Sequence, residues 1–391
     1  MLNKVPINHF AKVGAGQGAP QKETDFSNEG FPFIRAGHLE DLLNGKDELN
    51  LPKVNEEIAK LYRLKLYQPN TIVFAKSGMS AMKGRIYKLN NPCYVVNHLA
   101  TLELNKKTSP NYTVFLLRYF SPVRLINDTS YPSLKQSTIE KYELPLPSLH
   151  DQLHIANILS KAETLIAQRK ESIALLDEFL KSTFLEMFGD TITNRKNWEK
   201  VELKNFGKII TGNTPPRNNA DNYSSNFVEW IKTDNIKNEN TYITNAFEYL
   251  SASGLESART VESGALLVAC IAGSIESVGR AALTNRKVSF NQQINAIQPN
   301  ESISSLFLYW LFKLSKKYIQ NSASKGMKRM LTKGEFEKVK MIKPPTSLQT
   351  QFAQIVEKIE ALKTQYQCSL QELENLYGSL SQKAFRGELV V

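Results

Sequence analysis

Apolar residues recur every three to four positions along two unusually long stretches of this chain. In the first, the stripe runs through Ile155, Leu159, Ala162, Ile166, Ile173, Leu176, Leu180 and Phe184 to Phe188. In the second it runs through Phe352, Val356, Ile359, Leu362, Tyr366, Leu370, Leu373, Tyr377 and Leu380 to Phe385. No proline interrupts either stretch, so the period predicts two unbroken helices. A helix from Gln152 to Phe188 is roughly 55 Å long at about 1.5 Å per residue, well beyond the usual globular length. A stripe that long needs another long helix to cover it, and the chain supplies one of matching length. The competing expectation is that each helix packs only on its own domain, but a small domain has no groove of that extent.

Ahead of each long helix the pattern changes. Short β-branched and aromatic runs are broken by Gly, Asn, Pro and Ser: NTIVFA (70–75), RIYKL (85–89) and CYVVN (93–97), then ALLVACI (265–271) and KVSFN (287–291). These read as strands. TVFLLRYF (113–120) and SSLFLYWLFKLSKKYI (304–319) read as shorter helices, giving an α+β fold class. The two series match in order at a nearly constant offset. NHFAKV (8–13) matches KNFGKI (204–209), FPFIRAGHL (31–39) matches VEWIKTDNI (228–236), and GRIYKLN (84–90) matches GRAALTN (279–285). SLKQSTIEKYELP (133–145) matches MLTKGEFEKVKMI (330–342), and the ends of the two long helices match each other. The chain is therefore expected to be two homologous halves.

The expected boundaries are a first α+β domain (1–147), a first long helix (148–189), a linker (190–197), a second α+β domain (198–345) and a second long helix with a tail (346–391). Pro145 and Pro147 end the last strand of the first domain, and Ser148 or Asp151 is expected to cap the helix that follows. A chain that leaves one domain along the first helix and returns along the second most simply packs the helices antiparallel, as a coiled coil with pseudo-two-fold symmetry.

Composition narrows the partners. The 391 residues carry 49 Lys and Arg against 38 Asp and Glu, a net charge of +11, which favours an anionic partner, nucleic acid before a membrane surface. Plain solubility is the alternative. The three cysteines, Cys93, Cys270 and Cys368, are far apart and form no paired motif, which argues against a disulfide framework or a cysteine-rich zinc site. The N-terminal stretch lacks the apolar run of a secretion signal, and no run reaches the ~18–20 apolar residues that span a bilayer. A cytoplasmic protein is expected.

The order of these features resembles the specificity subunit of type I restriction–modification enzymes. Two variable domains each lead into a long helix, through LPLPSLHDQ (144–152) and IKPPTSLQTQ (342–351). TGNTPPR (211–217), WIKTDNI (230–236), NQQINAI (291–297) and KAFRGEL (383–389) also fit. The resemblance covers essentially the whole chain. It implies two target recognition domains, each reading one half of a bipartite sequence in double-stranded DNA, separated by the helices. It also implies two docked modification (methyltransferase) subunits that carry S-adenosylmethionine, a joining restriction (translocase/endonuclease) subunit, and no catalysis or cofactor in this chain. The first domain departs from the pattern, with GAGQGAPQK (14–22) where the second has TGNTPPRN, and with SGMSAMKGR (77–85).

Two other function classes were weighed: an enzyme with its own methyltransferase or nuclease site, and a coiled-coil scaffold that binds no DNA. VGAGQG (13–18) is glycine-rich, but it does not open a helix, as a phosphate-binding loop must. NPCY (91–94) lies near a methyltransferase-like signature without the preceding cofactor-binding pattern. In IEK (139–141) and FEK (336–338) the Glu and Lys are adjacent, where a nuclease motif separates them; a structural ion-pairing role is favoured. His150 and His154 are four apart at a helix start, but the second helix is read with Gln349 and Ala353 there, which excludes a metal site common to both halves.

Binding signals are stronger. Ten Lys and Arg against two Glu lie between Lys313 and Lys343, and SASKGMKRM (322–330) presents Lys325, Lys328 and Arg329 among small residues that let backbone approach phosphate. A solvated basic face is the alternative. Base readers need planar or multidentate polar groups; the candidates are Arg217, Lys232, Asn235 and Arg280 in the second domain and Lys76, Lys83 and Arg85 in the first. Ser77 and Ser274 occupy matched turns. Gly84–Arg85 and Gly279–Arg280 read equally as hairpin structure, and Asn97 and Asn291, which recur at one strand position, as scaffold.

Overall fold

The computed structural model describes residues 3–237, 240–271, 274–322 and 330–390. The chain divides into two compact units, Met1–Lys170 with Ser369–Val391, and Glu171–Cys368. The first unit contains two four-stranded sheets. One has the order Ala11–Ala15, Leu99–Leu104, Ile72–Ala75, Ile86–Lys88, antiparallel throughout. The other has the order Lys53–Val54, Phe31–Ile34, Cys93–Val95, Leu66–Tyr67, with one parallel pair at Phe33 and Tyr94. Ile72, Phe74, Ala100 and Leu102 pack toward the helix Pro110–Tyr119. The alternate residues Val73, Ala75 and Leu99 pack with Phe33, Ile34 and Val95 of the other sheet. Successive side chains point to opposite faces of a strand, so a strand covered on both faces must be apolar at every position. That is why NTIVFA reads as a continuous run.

The second unit repeats this plan. Its sheets have the orders Gly207–Thr211, Ile294–Pro299, Leu266–Ala269, Ala281–Leu283, and Tyr249–Leu250, Val228–Ile231, Val288–Phe290, Thr260–Val261, with the parallel pair now at Trp230 and Ser289. In each unit a two-stranded ribbon ties the domain's first strand to its last: Lys4–Pro6 to Glu143–Pro145, and Lys200–Glu202 to Lys340–Ile342.

The long helices are Leu149–Phe188, 40 residues, and Thr346–Arg386, 41 residues. Ser148 caps the first, its Oγ accepting from the Asp151 N–H at 3.2 Å. One turn in, Gln152 is almost fully buried; it accepts from the Ser109 N–H at 2.8 Å and donates to the Pro147 carbonyl at 3.0 Å. Gln349 does the same in the second helix, accepting from the Ser304 N–H at 3.0 Å and donating to the Pro344 carbonyl at 2.8 Å. This match corrects the register read from sequence. Gln349 stands opposite Gln152, so the counterparts of His150 and His154 are Ser347 and Gln351, neither of them histidine.

The compact units do not coincide with the halves of the repeat. The last turns of each long helix belong to the unit built on the other domain. Phe385 packs against Tyr112, Tyr119 and Phe120 in the first unit. Phe184 and Phe188 pack against Phe307 and Phe352 in the second. Within each unit the two helix segments run antiparallel: Glu163 meets Tyr377 and Lys170 meets Glu374 in the first, while Asp177 meets Lys363 and Phe184 meets Phe352 in the second. The domain core extends onto both segments because the aromatic ends of the stripes have nothing else to bury against.

Candidate nucleic-acid interface

In the second unit the candidate residues gather around the end of the strand Val228–Ile231. The Pro215–Pro216 turn, held by the Tyr223 hydroxyl donating to the Pro215 carbonyl at 2.7 Å, aims Arg217 back over the sheet. Its guanidinium lies 4.4 Å from the Tyr223 ring centre and 4.8 Å from that of Trp230. Lys232 Nζ lies 5.0 Å from the Trp230 ring centre. Glu248 pairs with both cations, with Arg217 at 2.6 Å and with Lys232. Hydrogen bonding from Lys232, then from Arg217, holds the Glu248 carboxyl below the usual carboxylate range against its partial burial. The triad remains about one-third to one-half exposed. It is a preorganised, planar, donor-rich surface. Phe247, next to Glu248, and Phe227 are large aromatics left in solvent beside it.

Three further candidates lie in the same unit. Arg280 donates to the Thr233 carbonyl at 3.3 Å and to the Ser277 carbonyl at 3.4 Å. Ser274 is exposed and reaches the Ser277 hydroxyl at 3.1 Å. Asn235 is the exception. It is buried, its Oδ1 accepts from the Lys232 N–H at 3.0 Å, and its Nδ2 donates to the Asn245 carbonyl at 2.8 Å and to Thr244 Oγ1 at 3.2 Å. Both ends of the amide are occupied by the chain, so Asn235 holds the turn that presents Lys232 and has no group left for a base. Lys325, Lys328 and Arg329 lie outside the described residues.

The first unit places the same positions around other side chains. Arg85 pairs with Glu40, on the short helix His38–Leu43 that follows the strand Phe31–Ile34. Like Arg280, it braces the segment after that strand; both follow a glycine with positive φ, Gly84 and Gly279, as the hairpin reading expects. Arg85 is mostly covered and, as placed, serves the frame. Ser77 Oγ lies 2.7 Å from His98 Nδ1, and the Lys76 backbone N–H donates to the His98 carbonyl at 2.9 Å. Lys83 is exposed.

Sequence reasoning passed over Arg35, Glu40 and Glu248. Arg35 occupies the place of Lys232, in FPFIRAGHL against VEWIKTDNI, and its N–H donates to His38 Nδ1 at 3.3 Å as that of Lys232 does to Asn235. Its guanidinium lies 5.0 Å from the Phe26 ring centre, and Phe26 meets Phe33 edge-on as Tyr223 meets Trp230. The repeat alignment carried that signal.

The glycine-rich run has a structural explanation. A Cβ at Gly16 would stand 2.0 Å from the Val95 carbonyl oxygen, and one at its counterpart Gly212 would stand 2.2 and 2.3 Å from the Asn291 and Phe290 carbonyl oxygens. Only glycine admits that backbone crossing.

The family model described as Type I restriction modification DNA specificity domain matches residues 2–175 and 195–375. The type I restriction enzyme MjaIX specificity subunit of Methanocaldococcus jannaschii is 34% identical over 144 residues, which are 36% of this chain and 33% of that one; the alignment thus reaches a third of that relative's length. The putative type I restriction enzyme MjaX specificity subunit of the same organism is 25% identical over 364 residues, 86% of this chain and 79% of that one. The crystal structure of a type I restriction–modification S subunit from M. genitalium superposes with a TM-score of 0.58 at 14% identity, over 98% of this chain and 96% of that chain, a likeness of fold.

Proposed function

This chain belongs to the type I restriction–modification DNA specificity family, and from that membership we propose that it is the DNA-reading subunit of such a complex and carries no catalytic site of its own. Each unit reads one half of a bipartite duplex target, and the long helices set the distance between the halves. Two methyltransferase subunits carrying S-adenosylmethionine dock on the chain and methylate adenine, and a translocating restriction subunit joins them.

One observation carries this reading. The two units share their frame and differ in what they expose. Gly16 and Gly212, Gln152 and Gln349, and the braces Arg85 and Arg280 recur at matched places. Between them, Gln21 stands for Arg217, Pro52 for Glu248 and Arg35 for Lys232. A repeated scaffold with two different polar surfaces is what reading two different half-sites requires, since base contacts specify and the frame only positions. Lys76, Lys83, Arg217, Lys232 and Ser274 are the contacts we assign to DNA, and the net charge of +11 supports the phosphate component.

Methylation mapping in cells with and without this gene tests the reading. A bipartite motif methylated only when the gene is present is expected. The complex should bind that duplex with an affinity that falls steeply with salt, as counterion release demands. Methylation independent of the gene, or binding indifferent to sequence and salt, overturns it.

A further inference from the structure

The two units treat the same place on the fold in opposite ways. In the second, the space over Tyr223 and Trp230 is filled by the chain's own Arg217, which Glu248 holds there. In the first, the matching rings are Phe26 and Phe33, with centres 5.9 Å apart. Gln21 follows Pro20 as Arg217 follows Pro216, and Pro52 stands where Glu248 would be. Gln21 turns its amide back to the Ala19 carbonyl at 2.7 Å, and the result is a cavity of about 330 Å³ lined by Gln21, Phe26, Phe33, Arg35, His38 and Pro52.

The cavity is built rather than left over. Its outer wall is pinned by Asp25, which accepts from the Lys22 N–H at 3.3 Å and from the Tyr62 hydroxyl at 2.7 Å. Arg35 stands over Phe26. The His38 ring accepts the Arg35 N–H on Nδ1. Burial, and then the Arg35 charge, lower its pKa, and the ring is also hydrogen-bonded to the Phe33 backbone. Flat apolar faces therefore combine with the Arg35 guanidinium, a multidentate donor. The second unit shows that a planar group fits over the ring pair. Its occupant is a cation because a carboxylate stands beside it. The first unit has Pro52 there, and Arg35 and Lys22 are balanced by Glu23 and Asp25 around the rim, so it suits a neutral, planar, acceptor-bearing group.

We propose that this cavity receives one nucleobase of the half-site bound by the first unit, displaced from the duplex stack and held against the phenylalanine rings beside Arg35. The inference rests on the proposed DNA-reading role. Drawing a base from the stack costs a few kcal/mol, which stacking on aromatic rings offsets. An acceptor edge such as O6 and N7 of guanine matches the donors present. In the second unit the plug reserves the equivalent place, so that half-site is read with its bases stacked.

The test uses the full chain with its methyltransferase subunits on the mapped target. Fluorescent analogues replace each purine and cytosine of the first half-site in turn, and permanganate reports the thymines. A several-fold rise in fluorescence, or a hyperreactive thymine, is expected at one position other than the methylated adenine. It should fall at least fivefold in Arg35→Ala and in Gln21→Arg/Pro52→Glu, which imports the plug of the second unit, while footprints over the other half-site persist. No such position, or a signal that survives both changes in a complex that still footprints the first half-site, overturns the inference and leaves DNA reading intact. Absence of any first-half footprint from the unaltered complex overturns both.

Discussion

Arg217 and Glu248 stand 2.6 Å apart above two aromatic rings, in a pair that also engages Lys232. The carboxylate fixes the direction of the guanidinium and cancels part of its charge. Glu248→Gln removes that cancellation while keeping the shape. In titrations of target duplex against salt, the slope of log affinity on log salt should steepen by about one, as one more cation becomes available to phosphate. Discrimination against single-base changes in the half-site of the second unit should drop about tenfold, because Arg217 loses its fixed aim. A variant identical to wild type in both measurements would place this triad away from the DNA.

Gln152 and Gln349 join each domain to its long helix through buried hydrogen bonds. Removing either side chain leaves a backbone N–H of Ser109 or Ser304 and a carbonyl of Pro147 or Pro344 without its partner. Gln152→Ala and Gln349→Ala should each cost about 1–3 kcal/mol. The residues belong to separate compact units, so the losses should add. Urea unfolding of the two single variants and the double variant measures this. A double variant no weaker than either single one would deny that the two seams act independently.

These glutamines show what the sequence made legible and what it hid. The long helices, the duplicated α+β domains and the buried strands follow from spacing alone, because burial on one stripe or on both faces leaves a periodic record. The partnership of Gln152 with Ser109 crosses 43 residues and leaves no such record. It also set the true register between the halves, which a text comparison had shifted at the histidines. For the same reason Asn235 read as a base reader: its polarity is visible in sequence, its burial is not. Glu248 was passed over because an acid looks unsuited to DNA until the two cations beside it are seen. The exchange of helix ends between the units was hidden for another reason. Phe188 and Phe385 occupy the same place in the repeat, and only packing reveals that each closes the core built on the other domain.

Glu229 makes the stability of the second unit depend on pH. It accepts from Nε and from Nη2 of the Arg286 guanidinium, the latter at 2.9 Å, and from the Ala246 N–H at 2.8 Å. Hydrogen bonding from Arg286 lowers its pKa against partial burial. The folded value lies below the unfolded one, near 4.3, so the contribution is complete above that value and is lost as pH falls through the folded pKa. Glu229→Gln should therefore lower stability at pH 7 by about 1–2 kcal/mol, and the difference from wild type should shrink toward zero below about pH 4. Urea midpoints at the two pH values decide it; a gap that does not narrow would assign the loss to packing instead of charge.

The helix pairs make the proposed spacing role testable to the residue. Glu163 meets Tyr377 in the first unit and Asp177 meets Lys363 in the second, so the same number of residues separates the two contacts on both helices. Removing 166–172 from one helix and 367–373 from the other keeps both contacts in step, because each deletion falls between them. Seven residues of helix are about 10.5 Å, close to three base pairs at about 3.4 Å each. The shortened chain, assembled with its methyltransferase subunits, should methylate a motif whose two half-sites are unchanged and whose spacer is about three base pairs shorter. Loss of methylation is set apart by measuring whether the variant still assembles and unfolds cooperatively. Methylation of the original motif, with its spacer unaltered, would show that the length of the helices does not set the distance between the sequences read.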